Sequence, residues 1–203
     1  MSSLDKVNAT LKNGNEALSQ GGEQLSHNLI DFWRWSVSDL LSNATRGRFA
    51  EFIVATATVV DIQQRRDEWA AYDLITPEGI KIEVKSAAYI QSWYQKELSK
   101  ITFSTKAAYV WDSETSTQSA VASRSADVYV LCLLHHNNKQ TCDPMNLDHW
   151  EFYVLATSEL NNYTRSLSSI TLNSLKKLAQ SIDYSQLMVE VEKKNKLNNL
   201  VKR

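Results

Sequence analysis

Tyr72-Asp73-Leu74, Pro77-Glu78-Gly79 and Ile80-Lys81-Ile82-Glu83-Val84-Lys85-Ser86 follow one another in a stretch whose residue types and spacing suit catalysis. On an extended strand alternate side chains share a face, so Ile80, Ile82 and Val84 point one way and Lys81, Glu83 and Lys85 the other. A turn through Pro77-Glu78-Gly79 folds the preceding residues back alongside, which sets Asp73 beside the face that carries Glu83. Two carboxylates and an ammonium then converge at the middle of a sheet. Metal-assisted phosphodiester hydrolysis is the chemistry that wants this trio. Carboxylates are hard oxygen ligands for Mg²⁺, with Mn²⁺ able to substitute, and such an ion keeps waters and takes substrate phosphate. Lys85 can orient or help deprotonate the attacking water and stabilise developing negative charge. Without a cation the two carboxylates repel each other, and Lys85 offsets that only in part.

The elements that must position these groups can be read from periodicity. Residues 72–76 and 80–86 form a hairpin, residues 126–134 and 150–156 are strands, and 101–111 holds a further strand. Ser26 caps a helix with Leu29, Ile30, Trp33, Val37, Leu40 and Leu41 on one face. A second helix spans 46–60 with Phe49, Phe52, Ile53, Ala57 and Val60 inward, and 158–163, 171–180 and 183–200 are also helical. The tryptophans at 33, 35, 69, 111 and 150 read as core. The order of elements predicts an α/β domain over residues 25–203, with one central mixed sheet flanked by helices. Residues 1–24 form a polar arm. Leu4, Leu11, Leu18 and Leu25 recur every seven residues, but Gly14 and Gly21 fall at the second seam position, so a loosely docked helical arm is expected rather than a coiled coil.

Asp73, the ten-residue gap, and Glu83-Val84-Lys85 resemble the PD-(D/E)XK nuclease superfamily, which has the restriction-endonuclease-like fold. Arg46-Gly47-Arg48-Phe49-Ala50-Glu51-Phe52 is similar to the preceding helix that often supplies an acidic residue, here Glu51, to the same metal site. Gln91, six residues past Lys85, resembles a glutamine often found near the active site in that superfamily. Tyr72 stands where the family name has proline, a position that varies and is not a ligand. The resemblance implies an Mg²⁺-dependent endonuclease of restriction or repair type, with Asp73, Glu83 and Glu51 on the metal and Lys85 positioning the nucleophile. It also implies DNA as the substrate, with Gln91 near it; Arg46 and Arg48, one turn from Glu51, are placed for phosphate contact, and the near-neutral charge leaves RNA open. The rival expectation is a catalytically silent domain of the same fold that binds nucleic acid or a protein partner.

Composition narrows the rest. With 22 Lys and Arg against 23 Asp and Glu the chain has no general basic coat, so nucleic acid must meet a local patch. Cys132 and Cys142 make no disulfide framework and no paired zinc motif. Adjacent His135 and His136 point to opposite sides of a strand end, which argues against joint ligation. The longest apolar run, 128–134, is too short to span a bilayer, and residues 1–5 lack signal-peptide character, so a cytoplasmic protein is expected. Coordinated cutting of two strands by a one-site chain calls for a homodimer, and the N-terminal leucines or Leu187, Val191 and Leu197 offer surface for one.

Overall fold

The computed structural model describes residues 4, 7, 9–112 and 115–201. A hairpin of β1 (Ala17–Gln20) and β2 (Glu23–Asn28) leads into α1 (Leu29–Val37) and α2 (Asn43–Ala57). β3 (Leu74–Ile75) and β4 (Lys81–Ala88) follow, then the short β5 (Thr102–Ser104), β6 (Trp111–Asp112) and β7 (Thr117–Gln118). The chain continues through β8 (Val128–Leu134), β9 (Trp150–Ala156), α3 (Thr157–Asn161), β10 (Ser169–Thr171), α4 (Leu172–Leu175) and α5 (Leu187–Val201). Strands β3, β4, β8 and β9 lie side by side in that order, with β4 and β8 parallel and the outer pairs antiparallel. This is the mixed central sheet of an α/β domain.

The sheet is built around β8, whose seven residues are all buried. A strand covered on both faces must be apolar throughout, which is why Val128 to Leu134 reads as an unbroken run. Val128, Val130, Cys132 and Leu134 pack with Ala50, Ile53 and Val54 of α2 and with Leu187 and Val191 of α5. Tyr129, Leu131 and Leu133 face the other way, onto Phe103, Leu160, Ile170 and Leu175. Fully burying each large side chain contributes about 1.5–3 kcal/mol, so both layers hold the sheet. β4 differs: Ile82, Val84 and Ala88 join the first layer, while Glu83 and Lys85 on its other face are only partly covered. The site opens there.

Several expectations need correction. The described end of the N-terminal arm folds into the β1–β2 hairpin and not into a helix, and its glycines explain why. Gly21 and Gly22 turn it at φ of 61° and 91°, a left-handed region that glycine enters without a Cβ clash. Leu11, Leu18 and Leu25 stay exposed and form no seam. Asn28, not Ser26, caps α1: its side chain accepts from the Asp31 N–H, and Asp31 returns the bond to the Asn28 N–H. None of α1 is fully buried. In α2 Ile53 is buried as expected and Phe49 and Ala57 pack partly buried against the core, joined by Arg46, Ala50, Val54 and Ala55, whereas Phe52 is half exposed. Of the five tryptophans read as core, Trp150 is buried, Trp33 is half-buried, and Trp35, Trp69 and Trp111 are exposed. The predicted helix at 171–180 shrinks to α4, preceded by β10. Leu187 and Val191 are committed to the core and are not free for a dimer. Among the described residues no helix is long and apolar enough to cross a membrane.

α2 ends unusually. Val60 N–H donates to Ala55 O and Thr58 N–H to Val54 O, the closing bonds that ordinarily call for glycine between them. Val59 fills that place at φ 57°, a strained value for a β-branched residue. Beyond it, residues from Val60 to Arg66 line a cleft with Glu51 and Phe52 of α2, and those from Glu68 to Tyr72 line one with Glu83 of β4.

Candidate active site

Asp73 sits where the β3–β4 ladder stops. Its N–H still donates to Ile82 O (3.1 Å), but the next N–H of β4, on Val84, donates to Asp73 Oδ2 at 2.8 Å. A side chain thus replaces the strand, and the carboxylate is pinned against β4. On the neighbouring face Lys85 Nζ donates to Glu83 Oε1 at 2.5 Å. The alternation expected from sequence therefore holds: Glu83 and Lys85 share a face, with Asp73 at its edge. Glu51, in the middle of α2, reaches this corner through a residue the sequence reading did not single out. Arg66 donates from Nε and Nη2 to the two Glu51 oxygens, and its Nη2 lies 3.6 Å from Asp73 Oδ1.

The carboxylates feel one another. The Glu83 carboxyl is pushed up from the ordinary glutamate range, first by burial and then by the charge of Asp73. Lys85 pulls it back and Glu51 adds a smaller push. Tyr129, paired with Glu83 across the sheet, has its hydroxyl pushed up to about 12 by burial and then by Glu83. Arg66 is held more firmly protonated, chiefly by its bonds to Glu51.

Asp73 stands on the wall between two clefts. One, of about 240 Å³, is lined by Asp73, Glu83, Tyr129, Trp69, Lys106 and Trp111. The other, of about 650 Å³, runs past Arg48, Glu51, Phe52, Arg65, Arg66 and Asp73. Arg48 is exposed on the second, 3.4 Å from Glu68. Arg46 and Gln91 meet each other, but inside the protein: they are 3% and 6% exposed and joined by a 3.2 Å hydrogen bond. Arg46 also donates to Leu41 O and Asn43 Oδ1, and Gln91 to Ala88 O and Ser99 Oγ. Together they tie the start of α2 to the segment leaving β4. His136 stacks on His149 at 3.9 Å while His135 contacts Asp148 O, away from this corner.

Arg66 and Lys106 were missed because neither belongs to a periodic pattern. The signal for Arg66 was present in outline, since Arg65-Arg66 is the one basic pair between α2 and Asp73. The donors at this corner are carboxylate oxygens without thiol or imidazole, a set that suits a hard cation. As they stand, however, no three or more His, Cys, Asp or Glu side chains among the described residues are grouped to hold a metal ion. The geometry says why: a guanidinium lies between Glu51 and Asp73, and Glu83 is turned to Lys85.

No curated protein matches the chain. The family model of Bacteriophage T4 endonuclease IV matches residues 23–174, from the first residue of β2 into α4. That span takes in Glu51, Arg66, Asp73, Glu83 and Lys85, and the walls of both clefts around them. It covers well over half of the 203 residues, and on that extent the chain belongs to the bacteriophage T4 endonuclease IV family, a family of endonucleases.

Proposed function

We propose that this chain is an Mg²⁺-dependent endonuclease that hydrolyses DNA phosphodiester bonds, of PD-(D/E)XK type and with a restriction or repair role. The observation that supports it best is the Val84 N–H bond to Asp73, which keeps one carboxylate at the edge of the face bearing Glu83 and Lys85. Asp73 and Glu83 would hold the ion and Glu51 would assist. When bound, Mg²⁺ supplies an activated water and neutralises charge on the scissile phosphate. Glu83 is prepared for such a partner: its carboxyl, buried and repelled by Asp73, gains from a cation beside it. Lys85 would orient the attacking water and take up negative charge as it develops. Arg48 would meet backbone phosphate along the wider groove, while Arg46 and Gln91 would hold the groove's shape from within. The protein would act in the cytoplasm.

A second reading, a domain that binds nucleic acid without cutting it, is favoured by the guanidinium already lying between Glu51 and Asp73. One experiment separates the two. Calorimetric titration with Mg²⁺ or Mn²⁺, with and without DNA, should show binding by wild type that is lost in Asp73→Ala. Absence of metal binding in the presence of DNA would leave the non-cutting reading.

A further inference from the structure

We propose that Arg66 is the site's resident counter-cation and its phosphate hand: it neutralises Glu51 and Asp73 until a divalent ion takes them, then turns onto the scissile phosphate. This rests on the metal-dependent nuclease reading and adds a residue to it.

The charges at the corner carry the argument. Glu51, Asp73 and Glu83 bring three negative charges, and Arg66 and Lys85 two positive ones, so one negative charge is left over. The side chains of Glu51, Asp73 and Glu83 are only 13%, 16% and 20% exposed, so water screens their repulsion poorly. Arg66 meets that need with the fork geometry that grips carboxylate and phosphate oxygens equally well. A divalent ion changes the sum from minus one to plus one. The carboxylates then have a stronger partner, the guanidinium is surplus, and the corner attracts a phosphodiester's single negative charge.

Arg66 is placed to answer that change. Its side chain is 37% exposed, so it is not locked in the core, and it lines the wider groove beside Arg48 and Arg65. It belongs to the segment that joins α2 to β3 and reaches both Glu51 and Asp73 from there. A phosphate beside Asp73 therefore lies within a side-chain rotation of the guanidinium, with no movement of the sheet. Planar, permanently charged and weakly hydrated, Arg66 suits that contact better than lysine would.

The test uses the full chain as wild type, Arg66→Gln and Arg66→Lys. Mn²⁺ alone is titrated by calorimetry, and a DNA oligonucleotide is supplied for cleavage. With the competing cation gone, Arg66→Gln should bind Mn²⁺ about tenfold more tightly while cutting at least ~100-fold more slowly. Its melting temperature in chelator should fall below wild type and recover on adding Mn²⁺. Arg66→Lys, which keeps the charge but not the fork, should lie between on every measure, and it supplies the result if the glutamine variant does not fold. Unchanged or weaker Mn²⁺ binding by both variants, or wild-type cleavage by Arg66→Gln, overturns the proposal and leaves the metal-dependent reading intact. If wild type itself takes no Mn²⁺ with or without DNA, that reading fails and Arg66's role goes with it.

Discussion

Arg46 and Arg48 stand two residues apart on α2, and alanine at each should have opposite consequences. The buried Arg46 guanidinium donates to Leu41 O at 2.7 Å, to Gln91 Oε1 at 3.2 Å and to Asn43 Oδ1 at 2.6 Å. Bonds from a charged donor are worth about 1.5–3 kcal/mol each. Water can replace the one to exposed Asn43, so two count in full, about 3–6 kcal/mol. Relief from burying a charge returns part of this, since burial already pulls the Arg46 pKa down. The expected net loss for Arg46→Ala is about 3 kcal/mol, or about 6–12 °C in melting temperature for a chain of this size. Arg48 is 60% exposed and pairs with the exposed Glu68, so Arg48→Ala should stay within about 0.5 kcal/mol of wild type. DNA binding reverses the order: losing one phosphate contact at Arg48 should make the slope of log affinity against log salt shallower by about one, while folded Arg46→Ala keeps the wild-type slope. Urea denaturation in chelator and a salt series of fluorescence anisotropy measure the two quantities. An Arg46→Ala protein that loses under about 1 kcal/mol and shows the shallower slope would refute the assignment of Arg46 to the scaffold.

Lys85→Ala should keep its fold and metal binding while cleavage falls at least ~100-fold; cutting at the wild-type rate would remove Lys85 from the mechanism. The Glu83 carboxyl has a folded pKa above its unfolded value of 4.5, so as pH rises from there the unfolded chain releases its proton first and stability declines until the folded value is passed. Denaturation in chelator from pH 4.5 upward should show that decline in wild type, a smaller one in Glu83→Gln, and its reversal by Mg²⁺ in wild type alone. Val59→Gly should raise stability by about 1 kcal/mol, because the side chain is 67% exposed and its backbone strain is relieved, and urea midpoints will show it. The outer face of α5 leaves Val189, Leu197 and Leu200 uncovered beside Lys193 and Lys196, so a homodimer through this helix is expected, and light scattering giving only 23.1 kDa with and without DNA would refute it.

How legible the sheet was depended on how far local pattern and tertiary demand agreed. β8 and β9 were plain because burial on both faces imposes a nearly unbroken apolar run, interrupted only by Glu151 in β9. The hairpin through Gly79 was plain for a different reason, since turn chemistry and alternation pointed to one register, and that register delivered Asp73, Glu83 and Lys85 to one corner. The arm was misread because a seven-residue leucine repeat outweighed glycines whose left-handed φ values call for turns. Exposed Trp35, Trp69 and Trp111 defeated a rule that equates bulk with burial, and the two lining residues 69 and 111 face the cleft beside Asp73. Arg66 was visible only in outline, as half of a basic pair, because its place is set by ion pairs to Glu51 and Asp73 and such pairs leave no periodic trace.

The parallel pairing of β4 with β8 also sets when, during synthesis, the proposed site can form. Glu83 finds its neighbour Tyr129 only after the intervening segment has been synthesised, and β8 is in turn closed by Leu155 of β9. At about 5–20 residues per second, several seconds separate the emergence of Asp73 and Glu83 from the arrival of the strands that hold them together. Until then the carboxylates belong to a hairpin too small to persist alone in water. A ribosome-bound or prematurely terminated chain therefore carries the carboxylates of the proposed site without its geometry. The geometry of the proposed site thus arrives late in translation, with the pairing of β4 to β8 and of β8 to β9.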